Sequence, residues 1–262
     1  MGNHPARGKV GLAAFRRARL TFTASGVTIP IVATDREALK QAAAQRAVDF
    51  VESGMVLGLG SGTTAAHVVR EIGTRLRDGR LRDLVAVPTS PRTLQLAADL
   101  GIPLSELNQH PALDLTIDGA DEVDPNLDLV KGAGGALLRE KLVATASRQL
   151  VIVVDETKRV ERLGTKSALP VAVVPFGWQI HLPFLAGFGA RPVLRTSDDG
   201  GPFLTDDGLY ILDCHFEGID DAVSLDEQLN SRPGIVENGL FLGLADVVVV
   251  GTAGGVEVLA AP

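Results

Sequence analysis

Four short apolar runs, MVLGLG at 55–60, LVAVPT at 84–89, LDLTIDG at 113–119 and LVIVVD at 150–155, alternate with helical periodicity at 35–53, 63–77, 89–100 and 135–148. A strand that is apolar on both faces needs cover on both faces, and parallel neighbours need a long crossover between them. Helices placed between the strands supply both. The alternation therefore predicts an α/β domain built on a doubly wound, mostly parallel sheet. Its first helix carries Ala38, Leu39, Ala42, Ala43, Val48 and Val51 at helical spacing, with Asp35 as its start signal and Gly54 as its stop.

Near Gly164 the pattern changes. Between 170 and 240 lie strand candidates VAVVP, RPVLR and LYILDCHF, helix candidates at 178–187 and 220–230, and turn signals at 198–201 and 206–208. This reads as a smaller α+β domain, inserted over 166–240. The apolar run ADVVVVGT at 245–252 then resembles the first strands again, so the large domain comprises 35–165 plus 241–262. Residues 1–34 carry Arg7, Lys9, Arg16, Arg17 and Arg19 with no acid before Asp35. Such a composition suits a transit peptide, but the scarcity of serine favours a disordered basic extension or an over-long start to the reading frame.

Composition narrows the partners. A formal charge of −7 over 262 residues argues against a nucleic-acid surface, so any phosphate must be gripped by local features. The single cysteine, Cys214, rules out an internal disulfide and a Cys-based zinc cluster; it suits a reducing cytoplasm and is expected to pack as a small apolar residue. No apolar run reaches the ~18 residues of a membrane span. The VVVV at 247–250 is bounded by Asp246 and Gly251 and reads as a buried strand.

In an open parallel sheet, ligands bind beyond the carboxyl ends of the strands. There the chain places Gly60-Ser61-Gly62-Thr63-Thr64, then Asp118-Gly119-Ala120-Asp121, then Lys131 to Gly135 ahead of Arg139-Glu140-Lys141, and finally Asp155 and Lys158. The glycine loop lets backbone N–H groups at a helix start approach an anion, and its hydroxyls add donors. A dinucleotide fingerprint would need a glycine where Thr63 stands, and the lysine of a P-loop is missing, so a small phosphate is the better fit. Asp118 and Asp121 share one short turn and cannot ionise independently, so one carboxyl should rise in pKa unless Lys131 compensates. Lys131 is the natural electrophile for a developing oxyanion, and Glu140 the natural general base. The bland alternative pairs Glu140 with Arg139 or Lys141 on a wet helix face. A base, an acid, a lysine and a phosphate cradle, with no metal-ligand cluster and no nucleophilic Ser-His pair, suit proton abstraction beside a sugar carbonyl, that is, aldose–ketose isomerisation. His4, His67, His110, His181 and His215 are scattered and read as structural or exposed.

From about Asp35 to the C-terminus the chain resembles the A-type ribose-5-phosphate isomerase family, motif after motif: GLGSGTTAAH, VPTSPRT, IDGADEVDPNLDLVKGAGGALLREK, VIVVDETK, LPVAVVP, TDDGLYILDC and RPGIVENGLF. The resemblance implies a Rossmann-like domain with a small α+β domain, a homodimer or homotetramer, no metal or other cofactor, and interconversion of ribose 5-phosphate and ribulose 5-phosphate through an enediolate. It implies that Glu140 moves the proton between C1 and C2, and that Asp118, Asp121 and Lys131 handle ring opening and the oxygens. Ser61, Gly62, Thr63 and Thr64 would bind substrate together with Gly119, Ala120, Gly132, Ala133 and Gly134, and Lys40 and Lys158 would be further contacts. On its own residues Lys40 reads as a surface lysine.

Departures from the family pattern leave every proposed catalytic group in place. Gly60-Ser61-Gly62-Thr63-Thr64 stands for the usual Gly-Thr-Gly-Ser-Thr and keeps each hydroxyl. Ala133 replaces a frequent glycine, which requires a negative φ there. Ala172 replaces a common glutamate away from the inferred chemistry and bears on domain or subunit packing. Two alternatives differ in class or substrate. A sugar-phosphate sensor of the kind found in DeoR regulators would need neither Glu140 nor Lys131, and would need a DNA-binding module that 34 basic-rich residues cannot supply. An amino-sugar phosphate isomerase fits the glycine-rich lysine loop and its Arg-Glu-Lys poorly.

Overall fold

The computed structural model describes residues 36–261. The expectations for residues 1–34 and for Asp35 as a helix start lie outside the described residues. In chain order the elements are α1 (Arg36–Ala47), β1 (Val56–Leu59), α2 (Gly62–Arg77), β2 (Val85–Pro88), α3 (Pro91–Asp99), β3 (Leu115–Asp118), β4 (Glu122–Val123), β5 (Leu129–Val130), α4 (Leu137–Thr145) and β6 (Leu150–Asp155). They continue as β7 (Leu169–Val173), α5 (His181–Ala186), β8 (Arg191–Leu194), β9 (Tyr210–His215), α6 (Ala222–Asn230), β10 (Ile235–Asn238), β11 (Leu240–Phe241), β12 (Val247–Thr252) and β13 (Gly255–Ala260).

The large sheet runs β13-β12-β6-β3-β1-β2. Its strands are parallel except β13, which returns antiparallel against β12. Every residue of β3, β6 and β12 is buried, as expected of strands covered on both faces. From β1 the chain steps to β2 on one side and then to β3 on the other, so the strand order reverses between β1 and β3. A crevice opens where two successive connections leave on opposite faces. Ser61 lies in the loop after β1, and Asp118 is the last residue of β3, at the start of the loop that follows.

A separate antiparallel sheet, β10-β7-β9-β8, packs its apolar face with α5 and α6 around Leu169, Val171, Leu212, Leu225 and Leu229. Cys214 lies fully buried in that core, and burial pushes its thiol up to about 12, so it packs as the small apolar residue expected. Ala172 faces the other way, buried with Leu137 of α4, Leu209 and Ile211. A short three-stranded sheet, β11-β5-β4, runs between the two. Its neighbours stitch the units together: Lys131 N–H donates to Gly239 O (2.9 Å) and Gly239 N–H to Pro170 O (2.8 Å). The buried Glu122 carboxylate accepts N–H bonds from Gly164 (2.6 Å), Lys166 (2.6 Å) and Ser167 (2.5 Å), fixing the entry to the second sheet.

Several boundaries differ from the sequence reading. The helix expected to reach residue 53 ends at Ala47, passes through a 3-10 turn at Val48–Phe50 and is extended by Val51. Residues 135 and 136 lie in the lysine loop rather than in α4, because Gly135 adopts φ +86°. The 178–187 helix is a 3-10 turn (Trp178–Ile180) followed by α5. β13, β10 and the two-residue strands are additions to the expected strands: two residues carry no period, and most of β13 is exposed, without the buried run that marks its neighbours. Among the described residues no helix is long and apolar enough to cross a membrane.

One backbone approach tests the packing of α1 on the sheet. A Cβ added to Gly251 in β12 would stand 2.2 Å from Leu39 O, a main-chain atom of α1 that cannot yield without moving the helix. Gly251→Ala should lower the urea midpoint by an amount worth roughly 1–3 kcal/mol. An unchanged midpoint would mean that α1 sits further from β12.

Candidate active site at the switch point of the large sheet

The loop after β1 is held from beneath by β3. Gly60 N–H donates to Ile117 O (3.0 Å) and Ser61 N–H to Asp118 Oδ1 (3.0 Å). Gly62, at φ +91°, turns the chain into α2, whose opening amides then face outward with the Thr63 and Thr64 side chains. Residues of the VPTSPRT motif brace this turn. Thr93 Oγ1 donates to Gly60 O (2.9 Å), and fully buried Thr89 donates through Oγ1 to Leu59 O (3.1 Å) while lying 2.7 Å from Ser61 Oγ. A hydroxyl has one proton, so with that proton on Leu59 O the Ser61 hydroxyl must donate to Thr89. From α1, Lys40 Nζ donates to Thr63 Oγ1 (3.2 Å) and pairs with Glu37 (2.7 Å).

The acidic stretch resolves into buried and bridging groups. Asp118, 1% exposed, accepts from the Ser61 and Gly119 amides (3.0 and 2.7 Å) and pairs with Lys131 Nζ at 3.0 Å. Lys131, 3% exposed, also donates to Gly119 O and stands 3.4 Å from Glu140 Oε2. The Phe241 ring lies under two ammonium groups, Lys131 Nζ at 5.4 Å and Lys141 Nζ at 4.9 Å. Asp121 points along the other side of the loop and accepts from Ala133 N–H (2.9 Å). Ala133 has the negative φ its methyl group requires, since it is absent from the positive-φ residues.

Glu140 does not pair with its neighbours on a wet face. Arg139 forks onto Asp207 (Nε–Oδ1 3.0 Å, Nη2–Oδ1 2.8 Å), and Lys141 reaches Glu237 (2.6 Å) and Asn238 O (2.8 Å), both away from the cleft. Glu140 turns inward between them, 5% exposed, and its Oε2 has no hydrogen-bond partner. Burial, then the nearby Asp118 charge, push its carboxyl up to about 8 against the pull of Lys131. Burial likewise raises Asp118, opposed by Lys131 and the two amides. For Lys131 burial works downward, but attraction by Asp118 and Glu140 outweighs it and the pKa is raised, so it remains an ammonium.

These groups border one cleft of about 110 Å³. Its lining comprises Ser61, Gly62, Thr63, Thr64, Gly119, Ala120, Asp121, Lys131, Gly132, Ala133, Gly134, Glu140 and Lys158. Of the residues singled out from sequence, Asp118 lies behind this lining as a support for Lys131, and Lys40 reaches the cleft only through Thr63. Lys158, in a 3-10 turn capped by Asp155, has no polar partner among the described residues. Thr89, Thr93, Phe241 and Arg195 also shape the site. Thr89 and Thr93 belong to the VPTSPRT motif and Phe241 to RPGIVENGLF, neither of which assigns them a role, and Arg195 carries no local signal because its partners are distant in sequence. Among the described residues no group of three or more His, Cys, Asp or Glu could hold a metal ion. His181 is buried and bonded to Arg232, His67 pairs with Glu37, and neither enters the cleft.

A doubly wound sheet with an anion-accepting helix start and a buried lysine–carboxylate cluster at its switch point defines an α/β protein equipped for acid–base chemistry on a small anion. The profile of ribose 5-phosphate isomerase A (phosphoriboisomerase A) matches residues 85–255. The chain belongs to this family. It is 50% identical over 228 residues to a ribose-5-phosphate isomerase A of Roseiflexus castenholzii, covering 87% of this chain and 97% of that protein. It is 52% identical over 226 residues to one of Gloeobacter violaceus, with coverages of 86% and 97%. A solved D-ribose-5-phosphate isomerase in complex with phospho-erythronic acid superposes with a TM-score of 0.85 at 41% identity, covering 87% of this chain and all of that one. The Methanocaldococcus jannaschii enzyme gives 0.82 at 42% identity, with coverages of 86% and 100%.

The raised pKa of Glu140 has a sign for stability. Between pH 4.5 and about 8 the folded carboxyl keeps a proton that the unfolded chain releases, so stability from this group is full below the lower value and is lost as pH rises to the upper one. Glu140→Gln, neutral throughout, escapes that loss. Urea unfolding should find the variant gaining on the wild type from pH 5 to pH 8.5, by roughly 1–4 kcal/mol. A gap independent of pH would mean that Glu140 titrates normally.

Proposed function

We propose that the chain interconverts D-ribose 5-phosphate and D-ribulose 5-phosphate, an aldose–ketose isomerisation of the non-oxidative pentose phosphate pathway. The phosphate rests at the start of α2, on the amides of Gly62, Thr63 and Thr64 and the hydroxyls of Thr63 and Thr64, with Ser61 shaping the turn through Asp118 and Thr89, Lys158 beside the phosphate and Lys40 behind Thr63. Asp121, on the cleft wall, serves ring opening and the movement of hydroxyl protons, and Asp118 behind it holds Lys131 in place. In the open aldose, Glu140 takes the proton from C2 as the C1 carbonyl oxygen gathers negative charge against Lys131. It returns that proton to C1 of the enediolate, while the proton on O2 is lost and one is gained at O1, so the ketose forms with no net change in composition. Electrons stay within the substrate, and the reaction asks for no redox cofactor or metal.

The observation that carries this function is the orientation of Glu140: a buried carboxylate oxygen without a hydrogen-bond partner, 3.4 Å from Lys131 Nζ, on the wall of the cleft that the phosphate loop also borders. Phospho-erythronic acid, bound in the solved relative, supports the same chemistry. Its carboxylate offers two coplanar oxygens where an enediolate has two. We further propose a cytoplasmic homodimer or homotetramer, with the 166–240 segment as an inserted domain; the separate core around β7 and β9 supports that division.

Conversion of ribose 5-phosphate by the purified protein in EDTA tests the reading. Wild-type turnover should be unaffected by the chelator, and Glu140→Gln and Lys131→Ala should each lower kcat by roughly two or more orders of magnitude. The wild-type kcat/KM, which reports the base in the free enzyme, should rise with pH through about 8 and level off above it, because the base works unprotonated. Turnover that needs added metal, or survives Glu140→Gln, would overturn the mechanism. No turnover, with ribose 5-phosphate still raising Tm, would make the chain a sugar-phosphate binder.

A further inference from the structure

Arg195 follows β8 in the small sheet, far in sequence from the cleft, and its side chain is only 14% exposed. It pairs in a fork with Asp213 of β9 (Nε–Oδ2 2.9 Å, Nη2–Oδ1 2.5 Å) and lies over the Phe203 ring at 5.6 Å. Phe203 in turn packs against Gly135, where an added Cβ would meet the ring at 2.7 Å. The remaining nitrogen, Nη1, donates to two successive carbonyls of the lysine loop, Gly132 O at 3.3 Å and Ala133 O at 3.0 Å. Arg195 thus spends its whole fork on holding a loop that borders the cleft.

Stereochemistry gives this grip a consequence. In a trans peptide the C=O and N–H point in opposite directions, and the described chain contains no cis peptide. In the 132–133 peptide the carbonyl points to Arg195 and the Ala133 N–H points to Asp121, a cleft residue, so the side away from Arg195 is the cleft side. In the 133–134 peptide the carbonyl again points to Arg195, so the Gly134 N–H points to the cleft. That N–H has no partner among the described residues, and Gly134 lines the cleft with Lys131 and Glu140. Two successive amides on one side form a small anion-receiving concavity, half of it occupied by Asp121.

We propose that Arg195 is a positioning residue that turns the 132–134 peptides so that the Gly134 amide donates, beside Lys131, to the negative oxygen of the enediolate. This rests on the isomerase reading and deepens it: the small sheet supplies an outer support for oxyanion stabilisation. Lysine could keep the charge of Arg195 but not the fork that reaches Asp213 and two carbonyls together. Donors aimed at developing charge lose their value when displaced by an ångström or less.

The test is calorimetric binding of phospho-erythronic acid and of inorganic phosphate to the full chain, as wild type, Arg195→Met, Arg195→Lys and Gly134→Pro. The proline variant removes the N–H itself at a position where a side chain would meet nothing within 4 Å. Arg195→Met and Gly134→Pro should each weaken phospho-erythronic acid roughly 10-fold or more, with Arg195→Lys intermediate and phosphate within about 2-fold throughout. A parallel fall in kcat with little change in KM should accompany them. A structural role alone would weaken both ligands together or neither, and either result overturns the proposal. If Arg195→Met does not fold, Gly134→Pro decides: unchanged affinity for phospho-erythronic acid removes the Gly134 donor and with it the role of Arg195. Wild type that binds phosphate but not phospho-erythronic acid would remove the isomerase reading first, and the inference would fall with it.

Discussion

The site depends on one ammonium placed where water cannot screen it. Lys131 is 3% exposed, 3.0 Å from Asp118 and 3.4 Å from Glu140. Two carboxylates and one cation in so dry a place carry one negative charge too many, and burial disfavours each charge separately. The compromise is that burial makes both carboxyls hold a proton more firmly than they would in water; Asp118 keeps two amide donors, while Glu140 presents to the cleft an Oε2 that lacks a hydrogen bond. Base strength here comes from incomplete solvation, a property of the fold rather than of glutamate.

Holding that arrangement is the work of much of the molecule. Arg139 and Lys141 tie the base helix to Asp207 and Glu237 on either side of Glu140, and Glu122 fixes the start of the second sheet with three amides. Phe241, fully buried, faces both lysines, adding a cation–π contact to each where water is excluded. The second sheet is thus less an appendage than a wall against which the loop and helix of the large sheet are set.

Much of this was legible in the sequence because it is local. Apolar runs such as LVIVVD have a burial requirement that only a covered parallel strand meets, and Gly60-Ser61-Gly62 announces a tight strand-to-helix turn from its composition alone. Residues 118 to 141 lie close enough together that their convergence could be read from the loops bearing them. What escaped depends on contacts without sequence period. The strands β4, β5 and β11 are two residues long, Thr89 acts through a single hydroxyl, and Arg195 meets Gly132 and Ala133 across more than sixty positions. Lys40 gave no sign of its contact with Thr63, because a lysine on a helix face looks the same whether it meets solvent or a loop. The resemblance to a family, rather than any spacing, singled it out.

Asp118 touches both ends of the site at once. One oxygen receives the Ser61 amide at the phosphate loop, the other holds Lys131, and the two strands that bear these loops, β1 and β3, are paired directly. The separation between phosphate cradle and electrophile is therefore set by a strut of one side chain and a hydrogen-bonded ladder, neither of which stretches. Any molecule that touches both loops at once therefore meets a span fixed by the sheet rather than by the loops themselves.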